Sequence, residues 1–398
     1  MSNDTFTEVT SRSWFSRIGN AFKGIIFGLI LVAVSFPLLF WNEGRAVKRY
    51  KTLQEGGGAV ISISADSVDP ANQGKLVHIT GTATTDETIT DPVFGVTSQA
   101  IKLLRTVEMY QWKQDSESTE KKKLGGGTET TTTYTYSKTW AEDIINSGNF
   151  KQPQGHENPG QMPYRSEEMV AGTVTVGAFT LSPPLVRKIN EYTAVSLQSY
   201  TLPESLATGS TVASDTIYRG ADPAVPRVGD LRVTFKEVKP LTISLVASQV
   251  SNTFEAYHAK AGGTIELLVS GVRSAEAMFR QAQKSNTILT WLLRGAGYIV
   301  MVIGFSLILG PLSVFADVVP IFGTIVGAGT GFIAVLIAGL LTFLTVAVAW
   351  IFYRPVIGII LIAAAGALGF FLFTRLKKTP PASTGSVPPP PPPPPAGA

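Results

Sequence analysis

Three histidines, His78, His156 and His258, are where acid–base or metal chemistry would begin in this chain. They stand far apart, in none of the spacings that bring two imidazoles to one metal. Cysteine is absent, which excludes disulfides, thiolate metal sites and thiol catalysis. No phosphate loop, serine elbow or zinc-protease helix motif occurs. The Asp-Pro pairs at Asp69, Asp91 and Asp222 read as turns. The residues therefore assign no catalytic group, no metal ligand, no cofactor and no small-molecule substrate. Carboxylates from distant strands could still converge, so a membrane-bound hydrolase stays open as an alternative.

The elements around these residues belong to a membrane protein. Between Arg294 and Arg375 the charged side chains are Asp317 and Arg354. A second apolar tract runs from Gly24 to Trp41, the length of one span, since about 20 apolar residues cross the hydrocarbon. Trp14, Trp41, Trp291 and Trp350, four of the six tryptophans, lie at the edges of these tracts, where indole rings prefer to sit. The expected fold is an α-helical four-span membrane region plus a large β-rich (α+β) extramembrane domain inserted between the first and second spans. Residues 1–23 form an N-terminal tail, in which Trp14, Phe15, Ile18 and Phe22 recur at the spacing of an interfacial helix. Residues 24–41 are a retained first span and 42–286 the β-rich domain. Residues 287–374 hold three spans, near 295–315, 332–352 and 356–374. A short re-entrant or interfacial helix is expected near 320–330, because the uncharged run there is too long for one upright helix. Residues 375–398 are a basic and polyproline tail.

Gly24 and Gly28, and Gly323, Gly327 and Gly331, repeat at every fourth position, a spacing that lets helix backbones approach. Asp317 and Arg354 are expected at span ends, because charge inside hydrocarbon is costly. Bare span centres argue against a transporter or an ion-selective pore. The slight net positive charge sits mostly beside the apolar tracts, a pattern for membrane surfaces and not for nucleic acid.

The insert alternates with period two in segments such as KLVHITGTAT, GTVTVGAFTL and DLRVTFKEV, the mark of half-buried strands. VEMYQW and TYTYSKTW flank KKKLGGG, which reads as a long hairpin with a basic tip at Lys121, Lys122 and Lys123. Tyr110 and Trp112 could face Tyr134 and Tyr136 across it, for packing or as a partner surface. DPANQGKLVHI and DPAVPRVGDLRVTF echo each other, hinting at two similar β units, and WAEDIINS reads as a short helix. Asn42, Glu43, Arg45 and Arg354 are candidates for docking the domain on the membrane block, or for plain anchoring at the headgroups.

NEGRA (Asn42–Ala46), GKLVHITG (Gly74–Gly81), DPVFGV (Asp91–Val96), KLLRTVEMYQW (Lys102–Trp112), EDIINSGNF (Glu142–Phe150), GHENP (Gly155–Pro159), GDLRVTF (Gly229–Phe235) and FYRP (Phe352–Pro355) resemble the LUMA, or transmembrane protein 43, family. The resemblance implies four spans, both ends cytosolic and the insert on the far side. In animals that side is the lumen of the endoplasmic reticulum and nuclear envelope. Animal members are thought to self-associate and to organise proteins such as emerin and lamins, and channel-like roles have been proposed for them. The polyproline tail and compact loops suggest a bacterial member, with an inner-membrane location, a periplasmic domain and cytoplasmic termini. The expected function is a non-enzymatic scaffold that meets the lipid bilayer, further copies of itself and other membrane proteins. A channel or transporter subunit built by oligomerisation is the alternative.

Overall fold

The computed structural model describes residues 4–356 together with Gly358, Ile360, Ala367 and Thr374. Most of the expected fourth span, and the polyproline tail, lie outside the described residues. Among the described residues, three helices are long and apolar enough to cross a membrane. We label them α1 (Trp14–Ala59), α2 (Ala275–Ala316) and α3 (Pro320–Tyr353). The Oγ of Ser13 caps α1 by accepting from the Ser16 amide, and Ser274 caps α2 through the Ala277 amide. The helices pack antiparallel in sequence, α1 on α2 and α2 on α3. Gly28 and Gly304 set the α1–α2 crossing. A Cβ on Gly28 would lie 2.6 Å from the Gly304 carbonyl, and one on Gly304 would lie 2.9 Å from the Gly28 carbonyl.

Two expectations about the helices change. The aromatic stretch at Trp14–Phe22 is no separate interfacial helix; it forms the first turns of α1. The predicted break near 320–330 is absent, and Pro320–Tyr353 is one helix of 34 residues. Pro320 sits in its first turn, where a missing N–H costs nothing. The bundle is long because its polar ends are far apart. From Arg17 to Glu43, α1 rises roughly 40 Å, the thickness of a bilayer with its headgroups.

The β-rich region is built on two large sheets that share one core, with two further two-stranded sheets among the described residues. The longest strands of the first are β1 (Thr5–Arg12), β3 (Lys102–Lys122), β4 (Thr128–Ala141) and β5 (Leu231–Val238), in the spatial order β1-β4-β3-β5. The second is centred on β2 (Leu76–Thr84) and β6 (Leu241–Val250), paired antiparallel. Leu103, Val107, Val233 and Phe235 from the first sheet meet Val77, Ile79, Ile243 and Leu245 from the second. Strand β6 is buried over most of its length because its other face packs on helices, with Val246 joining Leu53, Met278 and Phe279. The two Asp-Pro-Ala echoes form the same turn: Asp69 Oδ1 accepts from Ala71 N and Asp222 Oδ1 from Ala224 N, each at 2.9 Å. They lead into β2 and β5, which lie in different sheets of one sandwich, so the echo marks a shared turn and not two separate units. The helix expected at WAEDIINS does not form: Trp140 and Ala141 end a strand, paired with Tyr110 and Met109, and the following residues are a bend and loop that reach a 3-10 turn at Ser147–Asn149.

The N-terminus is part of this domain. Strand β1 pairs with β4 from Thr5↔Thr135 to Arg12↔Thr128, so the insert is completed by residues that precede the first span. Beyond Met109, β3 and β4 leave the sandwich as a ribbon roughly 40 Å long. Its tip meets the far end of the helices. Lys122 Nζ donates to Asp317 Oδ1 at 2.6 Å, Gly125 N donates to the Val318 carbonyl at 3.1 Å, and Arg17 Nη1 donates to the Gly126 carbonyl at 2.5 Å.

Two outcomes follow for the domain. Phe235→Ala should cost about 3–5 kcal/mol, read as a lowered melting temperature of the β signal in circular dichroism, since it empties a fully buried ring site. Amide hydrogen bonds from Gly172 and then Thr173 hold the Glu87 carboxyl below its usual range. A depressed folded-state value gives stability that is present above the unfolded value and lost as pH falls through the folded one. Hydrogen exchange at Gly172 should therefore quicken on acidification in the wild type and stay pH-flat, after correction for intrinsic rate, in Glu87→Gln.

Candidate functional site: the polar clasp of the three long helices

Glu43 has no exposure to solvent and takes three charged or polar donors. Arg294 approaches it bidentately, Nε to Oε1 at 2.6 Å and Nη2 to Oε2 at 2.8 Å. Trp350 Nε1 adds a bond to Oε2 at 2.8 Å. One carboxylate from α1 thus binds α2 and α3 together. The Arg294 guanidinium also lies over the rings of Trp291, at 4.7 Å, and Trp350, at 5.6 Å. Arg354 stacks on Trp350 at 5.7 Å, just past the end of α3. A fork-to-fork pair at low dielectric is strong once its remaining lone pairs are met, and here they are.

On either side of Glu43 in the chain, Asn42 and Arg45 lace α1 to α2 about one to two turns of α2 away from Arg294. Asn42 Nδ2 donates to the Thr290 carbonyl at 3.0 Å and its Oδ1 accepts from Arg45 at 3.2 Å. Arg45 donates to Asn286 Oδ1 and Thr290 Oγ1, both at 3.0 Å. Asn286 Nδ2 returns a bond to the Ala46 carbonyl. The structure brings Asn42, Glu43, Arg45 and Arg354 into one cluster. Sequence reasoning missed the other half of it, Asn286, Thr290, Arg294 and Trp350. The available signal was Asn286 and Thr290 four apart on a helix entering the membrane, with Arg294 four further on.

The remaining candidates separate. Tyr110 and Tyr134 do not form one aromatic face, because the register pairs Tyr110 with Trp140 and Tyr134 with Ser116. Tyr110 packs on Trp140 at 5.1 Å. Trp112 and Tyr136 instead hold His156, edge-on at 4.7 Å and stacked at 3.9 Å. His156 Nε2 lies 2.8 Å from Asp4 Oδ2, fixing the N-terminus to the sheet. His78 contacts Ser62 Oγ and the Arg273 carbonyl. At the ribbon tip Lys121 is exposed, Lys122 binds Asp317 and Lys123 pairs with Glu129 at 2.5 Å. Asp317 is buried, held also by Arg17 at 2.5 Å, so this span-end charge faces protein cations and not headgroups. Gly24 lies against Leu307, Gly323 against Asp317 and Gly327 against Ser313, while Gly331 meets open space.

Several of the unusual sequence strings are fasteners of this kind. In DPVFGV, Asp91 accepts from Val93 N and Phe94 N and binds the buried Arg105, which also pairs with Glu167. In VEMYQW, the buried Gln111 bridges Asp143 and Ile145. In GHENP, Asn158 bonds both backbone groups of Trp112. The cluster at Glu43 can hold three helices in register; among the described residues no group of three His, Asp or Glu side chains is placed to hold a metal ion.

Glu43→Ala should destabilise the helix bundle by about 3–5 kcal/mol, since it leaves Arg294 buried without a counter-charge. Glu43→Gln combined with Arg294→Gln should cost clearly less than the sum of the two single changes, measured as a double-mutant cycle on thermal unfolding in detergent.

The comparisons with known proteins agree on one family. The family model for transmembrane protein 43 matches residues 109–355. Transmembrane protein 43 of the mouse is 38% identical over 355 residues, covering 86% of this chain and 87% of the relative. The human protein is 37% identical over 355 residues with the same coverage, and the fruit-fly homolog is 31% identical over 359 residues, covering 88% and 94%. No solved structure matches. These relatives are animal proteins, so the expectation of a bacterial member, with its inner-membrane and periplasmic placement, is without support. With its apolar helices, its β-rich domain and the joint between them, the chain belongs to the transmembrane protein 43 family of integral membrane proteins.

Proposed function

We propose that this chain is a non-enzymatic, four-span membrane scaffold that organises membrane proteins or their lipid surroundings through its β-rich domain and self-association. The observation that carries the reading is the ribbon of β1, β3 and β4. It reaches from the sandwich to the opposite end of the helices, beside segments whose apolar side chains are exposed. Its faces are polar, with Ser116, Ser118, Thr119 and Glu120 exposed. From Lys113 to Lys122, β3 has no strand partner on its outer side among the described residues, and neither does β1. Backbone donors and acceptors at membrane depth cannot be left against lipid. Protein or water must cover them, and a second copy of the chain offers matching edges.

A second reading rests on the same ribbon. If water covers it, oligomerisation would enclose an aqueous path lined by threonine and serine, and the protein would be a channel subunit. The absence of cysteine from the sequence makes a single introduced thiol a clean reporter. Thr119→Cys in native membranes should give a disulfide-linked dimer on mild oxidation and label poorly with a charged thiosulfonate. Rapid labelling with no crosslink, together with conductance in planar bilayers, would overturn the scaffold in favour of the channel.

A further inference from the structure

Where α1 and α2 leave the membrane level, they and the edge strand Leu267–Ser270 line an open cavity of about 460 Å³. One wall is cationic. Arg45 and Arg49 line it, and neither pairs with a carboxylate among the described residues. Arg45 bonds the amide and hydroxyl oxygens of Asn286, Asn42 and Thr290, and its Nε is buried without a partner. Arg49 donates to the Thr264 carbonyl at 2.6 Å. The one acid in the wall, Glu266, is taken by Lys188. Apolar side chains of α2 complete the lining, Met278 and Ala282 toward the β domain and Leu289 toward the membrane. On the membrane side of Arg45, a second concavity of about 560 Å³ lies along the same helix at Ile288, Trp291, Leu292 and Ile299. Trp291 and Trp41 are both more than half exposed, at the level where indoles mark the hydrocarbon boundary.

We infer that this cavity is a binding site for one anionic phospholipid of the leaflet on the β-domain side. The headgroup phosphate lies at Arg45 and Arg49, and one acyl chain follows the α2 groove past Leu292 to Ile299. The order of chemistry fits that occupant and no water-soluble anion. Two guanidinium groups outside any ion pair among the described residues stand on the headgroup side of an apolar slot formed by Leu289 and the α2 groove at residues 288–299, and a planar guanidinium can present two parallel N–H donors to a phosphate. Headgroup and chain are thus recognised by separate walls. The site depends on membrane embedding and stands apart from the scaffold reading, because a lipid held here is detected whether or not copies associate.

The test uses the full chain, purified in mild detergent and offered phosphatidylserine and phosphatidylcholine in equal amounts, with retained lipid weighed by native mass spectrometry. The wild type should keep one phosphatidylserine in preference. Arg49→Gln should lower that preference about fivefold, the factor expected for one basic side chain near an anionic headgroup. Leu289→Trp, which fills the apolar slot and leaves both arginines, should reduce retention of either lipid. Arg280→Gln removes an exposed arginine paired with Glu276 on the same helix and should change nothing. The inference is overturned if the wild type shows no preference, or if Arg49→Gln and Leu289→Trp both retain phosphatidylserine like the wild type.

Discussion

A carboxylate sealed from water decides how this molecule is put together. Glu43 sits at the end of the first apolar tract, where hydration is already thin. A buried carboxylate without donors is costly. Arg294 and Trp350 supply the donors, and they come from the two other long helices. The pairing fixes the depth of each helix relative to the others. It also fixes where α1 and α2 emerge together, and the second sheet of the β domain is built on that emergent pair through Leu53, Met278 and Phe279. Gly56 keeps the junction close: a Cβ there would meet Ile265 at 2.2 Å and Phe279 at 3.0 Å.

Much of this was legible in the sequence. Apolar tracts and their tryptophan edges located the helices, because lipid leaves little choice about length. Alternation located the strands. Asn42, Glu43 and Arg45 stood out because polar groups directly after a span need partners. What was hidden is the long-range pairing. Nothing local says that Thr5–Arg12 joins a sheet; eight mostly exposed, threonine-rich residues resemble a tail until their partner β4 is known. Glycine and proline near 320–330 suggested a break, yet the third helix runs through them. In a bundle with polar ends this far apart, the length needed to connect them outweighs the weak helix preference of glycine. The aromatic face on the hairpin failed for a reason of register, since composition cannot say which residue stands opposite which.

Asp317 closes the other end of the bundle in the same manner. It is buried between Arg17 and Lys122, so a helix start, a helix end and a strand turn all converge on one acid. The two buried acids, one at each headgroup level, bracket an almost uncharged middle. The arrangement separates tasks. Dispersion and glycine contacts such as Gly28 on Gly304 hold the middle, while the ends carry the orientation. The ribbon is tied to the Asp317 end and to the sandwich, so helices and ribbon form a closed frame and not a domain on a flexible stalk.

That frame imposes an order on biogenesis. The first strand is made first, but its pairing partner begins only at Thr128. During synthesis the opening segment must therefore wait, unpaired, while the first helix is delivered and the sandwich strands emerge behind it. The Asp317 clasp comes later still, after the second long helix is complete. The strand ahead of the first helix leaves the ribosome before the rest of the frame and is among the last to reach its final neighbours, so a bulky group placed next to it acts on maturation before it acts on the finished protein.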